Sequence, residues 1–328
     1  MKQRILAGQH VSEIGLGCMN LSHAYGHPLS EADAAEVITE AVELGVTHFD
    51  TAALYGFGKN EALLGKLLKP HRQRIFLASK CGMTGVDGKR VIDGRPATLR
   101  ATLEKTLTSL QTDSIDLYYL HRWDKNVPIE DSVGELSRMV EEGKIQGIGL
   151  SEVSSHTLRK AHAVHPIAAL QTEYSLWTRN AEISVLEACA ELGTAFVAFS
   201  PLARGFLSGK VTDSSGLIEG DIRKGMPRFQ AEHMQKNLPL LTALNGISQV
   251  HQCSMAQVSL AWLLQQGRHI HLIPGTTKLP HLRENVKASN VTLSGREIET
   301  LNRVFDHQKI SGKRYPAATQ LEIDTEEF

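Results

Sequence analysis

Asp50 closes the apolar run GVTHFD, Lys80 closes RIFLASK and His121 closes SIDLYYLH, while Tyr55 lies five residues beyond Asp50. All four side chains carry acid–base chemistry. A lysine taken out of water needs an acid beside it, and Asp50 offers one. A lysine cation beside a phenol favours phenolate, so it lowers the tyrosine pKa from about 10. Such a tyrosine exchanges a proton near neutral pH. His121 adds a hydrogen-bond donor that can hold and orient a carbonyl oxygen. Singly, each residue has a bland explanation: a strand-end cap, a solvated lysine, loop packing. Together, on successive strand ends, they point to a proton-transfer site.

The runs that carry them belong to a regular alternation. Eight strand-like segments are present: VSEIGLGCM, GVTHFD, RIFLASK, SIDLYYLH, IQGIGLS, IAALQTEY, TAFVAFS and IHLIPG. Amphipathic helical runs separate them, and Gly45, Gly143 and Gly193 each follow one, as C-terminal caps do. Repeated β-then-α units argue for a parallel sheet with crossover helices, either an open doubly wound sheet or a closed barrel. The count of eight and the length of 328 residues favour a single α/β domain over residues 1–328, a (β/α)8 TIM barrel. It carries a long loop after strand seven, Arg204–Lys236, and a C-terminal helical or tail extension. Asp50, Lys80, His121, Ser151, Gln171 and Ser200 all fall at C-terminal strand ends, which a barrel gathers at one mouth.

Composition narrows the function. Lys+Arg number 35 and Asp+Glu 36, so no charge excess draws the chain to nucleic acid or an anionic membrane. The four cysteines are scattered and form no C-x-x-C pair, which excludes a disulfide framework or a zinc cluster and suits a reducing compartment. There is no secretory-type apolar run at the N-terminus and no membrane-length stretch, so a cytoplasmic location is expected.

Several segments together resemble the aldo-keto reductases: GLGCMNLS, FDTAALYG, LASKCG, DLYYLHRWD, GKIQGIGLSE, LQTEYSLWTR, AFSPLARGFLSGK and IPGTTKLPHLRENVKA. They run in order along nearly the whole chain. GDIRKGMPRF in the insertion resembles the auxin-induced-protein-like, NADP-dependent aldehyde reductase branch. The resemblance implies a barrel that binds NADP(H) without a Rossmann domain, a small carbonyl substrate, and Asp50, Tyr55, Lys80 and His121 as the catalytic tetrad. It assigns Ser151, Gln171 and Tyr174 to the nicotinamide, with Tyr174 stacking on it. Glu152 stands where many relatives have asparagine. Ser200, Pro201, Leu202, Arg204, Gly205 and Lys210 fall in the segment that folds over the pyrophosphate in relatives. Gly205 and Gly209 give that segment mobility, as a lid needs. Pro274, Gly275, Thr276, Thr277, Lys278, His281, Glu284 and Asn285 complete the implied cofactor set. His281 stands where many relatives carry arginine. The physical reading agrees there: a glycine turn and a new helix near Leu279 present backbone N–H groups at the mouth, with the Thr276 hydroxyl and the Lys278 charge beside them.

Other signals in the chain are weaker. GFGKNE, at Gly56–Glu61, fails as a dinucleotide fingerprint and reads as a turn with Asn60 as helix cap. His23 and His27 lack acid partners for a metal site, His269 and His271 read as structural, and Cys81 as a buried inert thiol. Trp123 and Trp177 stand equally well as pocket walls or rim packing. The rival to an enzyme is a cofactor-binding regulatory relative, similar to the channel β-subunit branch; oligomeric state is not legible.

Overall fold

The computed structural model describes every residue except Asp87. The expected strands form one parallel ring: β1 Leu16–Gly17, β2 His48–Asp50, β3 Phe76–Cys81, β4 Leu117–Leu120, β5 Ile148–Ser151, β6 Ile167–Glu173, β7 Ala195–Phe199 and β8 Ile270–Leu272. Each pairs in parallel with its sequential neighbour. Closure comes from Ile14 against Leu272: Gly15 N–H donates to Leu272 C=O at 2.7 Å, and Leu272 N–H to Glu13 C=O at 2.9 Å. An open doubly wound sheet has no such seam, so the chain is a (β/α)8 barrel.

Around it pack α1 Glu31–Glu43, α2 Lys59–Leu68, α3 Pro96–Leu110, α4 Ile129–Glu141, α5 Ser155–Val164, α6 Val185–Leu192, α7 Met255–Leu264 and α8 Leu279–Lys287. Their ends follow local chemistry. Ser30 and Ser154 cap α1 and α5 through their side chains, and Ser254 with Gln257 builds a capping box on α7. Asn60 is not the cap expected of it. It lies inside α2, where its side chain bonds Thr51 Oγ1, Cys18 C=O and Ser22 Oγ and so ties the loops after β1 and β2 together.

Period-two alternation sorts each strand between two cores. Phe76, Ala78, Leu117, Tyr119, Ala169, Ala195 and Val197 fill the barrel interior, while Leu77, Tyr118, Leu120, Leu170 and Phe196 face the helices. An N-terminal hairpin, Gln3–Leu6 with Gln9–Ser12, plugs the floor with Leu6 and Val11. Short apolar content hid this hairpin in the sequence. A second hairpin, Met83–Val86 with Lys89–Ile92, rises after β3. The insertion after β7 holds short 3-10 turns and the helix Ala231–Asn237, and beyond α8 the chain adds the helix Gly295–Val304 and an extended tail.

Gly65 shows how tightly α2 seats on α3. A Cβ there would lie 2.1 Å from the Ser109 carbonyl oxygen and 2.9 Å from the Leu110 backbone. Helix propensity alone favours alanine by about 1 kcal/mol. Overpacking against backbone costs about 1–3 kcal/mol and should win. Gly65→Ala is therefore expected to lower the urea midpoint; a raised midpoint would mean the two helices have room.

Candidate active site

Lys80 extends inward from β3 and is wholly excluded from solvent. Its ammonium donates to Asp50 Oδ1, to Thr51 C=O at 2.8 Å and to the Tyr55 hydroxyl at 3.4 Å. Asp50 Oδ2 accepts from Gln171 Nε2 at 2.7 Å, so one carboxylate links β2, β3 and β6. Burial pulls the lysine pKa down, but Asp50 and Tyr55 overcome it and hold it above the ordinary value. Tyr55 differs from expectation. Burial pushes its pKa up, Lys80 pulls it down, Asp50 pushes it up again, and the net result lies above 10. The tyrosine is therefore a stored phenol at neutral pH. After Tyr55 the backbone runs through three left-handed residues, Gly56, Phe57 and Gly58. This tight turn leads the chain straight into α2.

His121 presents its ring edge-on to Tyr55, with centroids 5.8 Å apart. Burial, Arg122 and Lys80 hold its pKa far below the usual histidine value, so the imidazole is neutral. Its Nδ1 is buried without a partner among the described residues, leaving Nε2 as the atom for a guest in the cavity. That cavity, about 700 Å³, is lined by Asp50, Tyr55 and His121 and also by Lys278 and His281.

The cavity gathers Ser151, Gln171, Ser200, Pro201, Leu202, Gly205 and Lys210, together with Pro274, Gly275, Thr276, Thr277, Lys278, His281, Glu284 and Asn285. Tyr174 is a correction. It follows the last residue of β6 and is fully buried on the outer, helix-facing side, packed on Phe196 and Trp262, with its hydroxyl donating to Glu182 at 2.9 Å. Period two explains this: Gln171 and Tyr174 are three residues apart and cannot share a face. Phe199, by contrast, lines the cavity and shares its face of β7 with Val197. Trp123 and Trp177 do not line the cavity; the first donates to Val127 C=O at 2.9 Å, and the second stacks on Phe206 at 4.1 Å. Arg204 reaches the cavity, but its guanidinium is bound to Glu173 and the Tyr25 hydroxyl, each at 3.0 Å. Sequence reasoning missed Met83, Arg90, Arg122, Tyr25 and Tyr315, which hairpin, loop and tail bring to the mouth.

Residues 13–306 match the aldo/keto reductase family. The chain belongs to that family. It is 44% identical over 315 residues to probable aldo-keto reductase 1 of Glycine max, covering 94% of this chain and 89% of that protein. Its fold is similar to the glycerol dehydrogenase of Gluconobacter oxydans, with TM-score 0.85, 25% identity and coverage of 96% and 98% of the two chains. It is also similar to a Bacillus halodurans aldo-keto reductase in its holo form, with TM-score 0.78, 28% identity and coverage of 94% and 97%. Family membership implies an oxidoreductase that uses a nicotinamide cofactor on small carbonyl compounds.

In this aldo/keto reductase, Glu152 serves the fold. Its backbone is left-handed, and its carboxylate accepts two contacts from Arg314 Nη2, at 2.7 and 2.6 Å. Arg314 Nε also donates to Glu173 Oε2 at 3.0 Å, the oxygen that Arg204 reaches as well. The network pins the C-terminal tail and the start of the insertion to β5 and β6, and sets Tyr315 in the cavity wall. Asp324 and Glu326 extend the anchor by accepting from Ser154, Thr157 and Ser184 side chains.

Burial pushes the Glu173 pKa up, but Arg314, Arg204 and Arg228 overcome it and hold the carboxyl at about 2, below its ordinary 4.5. A carboxylate depressed in the folded state stabilises above its unfolded pKa, and that contribution fades as pH falls through the folded value. The window is pH 4.5 down to about 2. The contribution is on the order of 3 kcal/mol. Glu173→Gln should be less stable than wild type at neutral pH, and the gap in urea midpoint should close as pH falls through that window. A constant gap would mean this carboxylate is not what the arginines stabilise.

Proposed function

We propose that the chain is an NADPH-dependent reductase of small aldehydes or ketones, working in the cytoplasm as one domain over residues 1–328. The observation that carries this reading is the Tyr55 hydroxyl 3.4 Å from a lysine ammonium paired with Asp50, beside a neutral His121, at the floor of one cavity. Bound NADPH supplies the hydride. Tyr55 holds the proton on its hydroxyl and passes it to the carbonyl oxygen. Lys80 stabilises the phenolate left behind, and Asp50 keeps that ammonium in place. His121 orients the carbonyl oxygen through Nε2. The rival reading, a regulatory relative that binds cofactor without turnover, has no gap in the tetrad to rest on. Four free cysteines suit a reducing cytoplasm.

The lining residues that follow β7 and β8 fit a phosphorylated dinucleotide. Lys278 is exposed, lines the cavity and has no acid partner among the described residues. It sits at the N-terminus of α8, where the helix dipole favours anions. Lys210 Nζ lies 3.0 Å from His281 Nε2 across the cleft. Thr276 Oγ1 accepts from Lys278 N–H at 3.1 Å, so it shapes the turn as well as offering a hydroxyl. Ser151, Gln171 and Phe199 would hold the nicotinamide, and Ser200 to Leu202, Gly205 and Lys210 the pyrophosphate. The positive φ of Gly205 and Gly209 lets the insertion turn over it. Burial and Lys210 lower the His281 pKa, so it is a neutral, weaker partner for a 2′-phosphate than arginine. The preference for NADPH over NADH is therefore moderate and rests on Lys278.

Tyr55→Phe keeps the ring and removes the proton donor. Carbonyl reduction should fall by at least about 2.7 kcal/mol in barrier while NADPH binding stays near wild type. Retention of more than about a tenth of wild-type kcat would exclude Tyr55 as the acid. Lys278→Ala should weaken NADPH binding about tenfold or more and leave NADH nearly unchanged, since a charge-assisted hydrogen bond is worth about 1.5–3 kcal/mol. Fluorescence titration decides this, and equal losses for both cofactors would show that Lys278 does not read the 2′-phosphate.

A further inference from the structure

Of the four arginines that line the cavity, three have acid partners. Arg204 pairs with Glu173, Arg223 with Asp221 and Arg90 with Glu322. Arg122 does not. It follows His121 in the chain, is half-buried and lines the cavity. Its Nη1 donates to the His121 carbonyl at 2.7 Å and to Ser151 Oγ at 3.3 Å. Both acceptors are neutral. Its Nε is buried without an acceptor, and no carboxylate among the described residues lies within ion-pair distance. The acids on the adjoining strands, Glu152 and Glu173, are both held by Arg314.

A guanidinium half withdrawn from water, whose Nη2 makes no hydrogen bond among the described residues, lacks its natural complement. Its planar fork matches an oxyanion bidentately. It also stands beside the reacting groups, because it adjoins His121 in the chain and bonds its carbonyl at 2.7 Å, and its charge bears on both Tyr55 and His121. The nearby acid, Asp50, is already neutralised by Lys80. The reacting groups therefore have one uncompensated positive charge beside them.

We propose that Arg122 forms an anion subsite, so that the preferred substrates are aldehydes or ketones bearing an acidic group, carboxylate or phosphate. The inference rests on the reading of Tyr55 as proton donor. A competing role is support of Ser151, and through it the cofactor, which acts equally on every substrate.

The test uses the full-length enzyme with NADPH and two matched pairs: para-carboxybenzaldehyde against benzaldehyde, and phosphorylated glyceraldehyde against glyceraldehyde. In wild type, kcat/KM for the acidic member should exceed that for the neutral one by about tenfold or more in at least one pair, and the pair that shows it names the group. Arg122→Met should bring that ratio to about one, mainly through KM, and Arg122→Lys should restore part of it. Added salt should shrink the wild-type ratio. A wild-type ratio near one in both pairs overturns the subsite. So does a ratio unchanged in Arg122→Met, or an equal fall for all substrates with weaker NADPH binding. Benzaldehyde turnover separates these failures from failure of the reductase reading: if no aldehyde is reduced, both readings fall.

Discussion

A lysine ammonium sealed from water sits at the centre of the barrel mouth, and the site is arranged around keeping it charged. Lys80 has one carboxylate partner, Asp50, and a backbone carbonyl. Breaking such a buried pair from one side typically costs about 3–5 kcal/mol, because the other charge is left uncompensated. The pair therefore constrains its surroundings. Asp50 must also accept from Gln171, which reaches across from β6. The ammonium in turn holds the Tyr55 hydroxyl. Three strands and one loop are referred to a single ion pair.

That pair also sets the protonation states. With Asp50 close by, the lysine charge does not make Tyr55 acidic; burial and the carboxylate together keep the phenol protonated. The same burial and the neighbouring cations keep His121 neutral. A neutral acid and a neutral hydrogen-bond donor face the cavity, with the cation beneath them. This distribution suits a reaction in which negative charge develops on an oxygen, since a positive group already waits where charge will appear.

A second buried network does for the wall what the first does for the floor. Glu152 and Glu173, inward and upward from β5 and β6, receive Arg314 from the tail and Arg204 from the insertion. Four charges that would each be unfavourable alone satisfy one another. The result is a rigid seam between two segments that carry little regular structure. Tyr315 and Pro316 enter the cavity wall because the tail is fixed there.

The barrel was legible in the sequence because its periodicities are local. Eight apolar runs, separated by helices and glycine caps, specify strands and helices through backbone sterics and side-chain alternation. The tetrad was legible because polar residues at the C-terminal ends of buried strands have one place to converge. The same alternation, carried one residue past β6, places Tyr174 on the outer side, and along β7 it places Phe199 with Val197 on the inner face. Other features had no local signature. The hairpin that supplies Arg90, the tail that supplies Arg314 and Tyr315, and the pairing of Glu152 with a residue 162 positions away depend on contacts between distant segments. So does the net pKa of Tyr55, since burial is a property of everything packed around a group. Sequence alone determined which residues could do chemistry and on which strand ends they stand. Tertiary structure decided which charges are neutralised, which are left free, and what closes the cavity, because electrostatic energy depends on distance and solvent exclusion and neither is encoded in spacing along the chain.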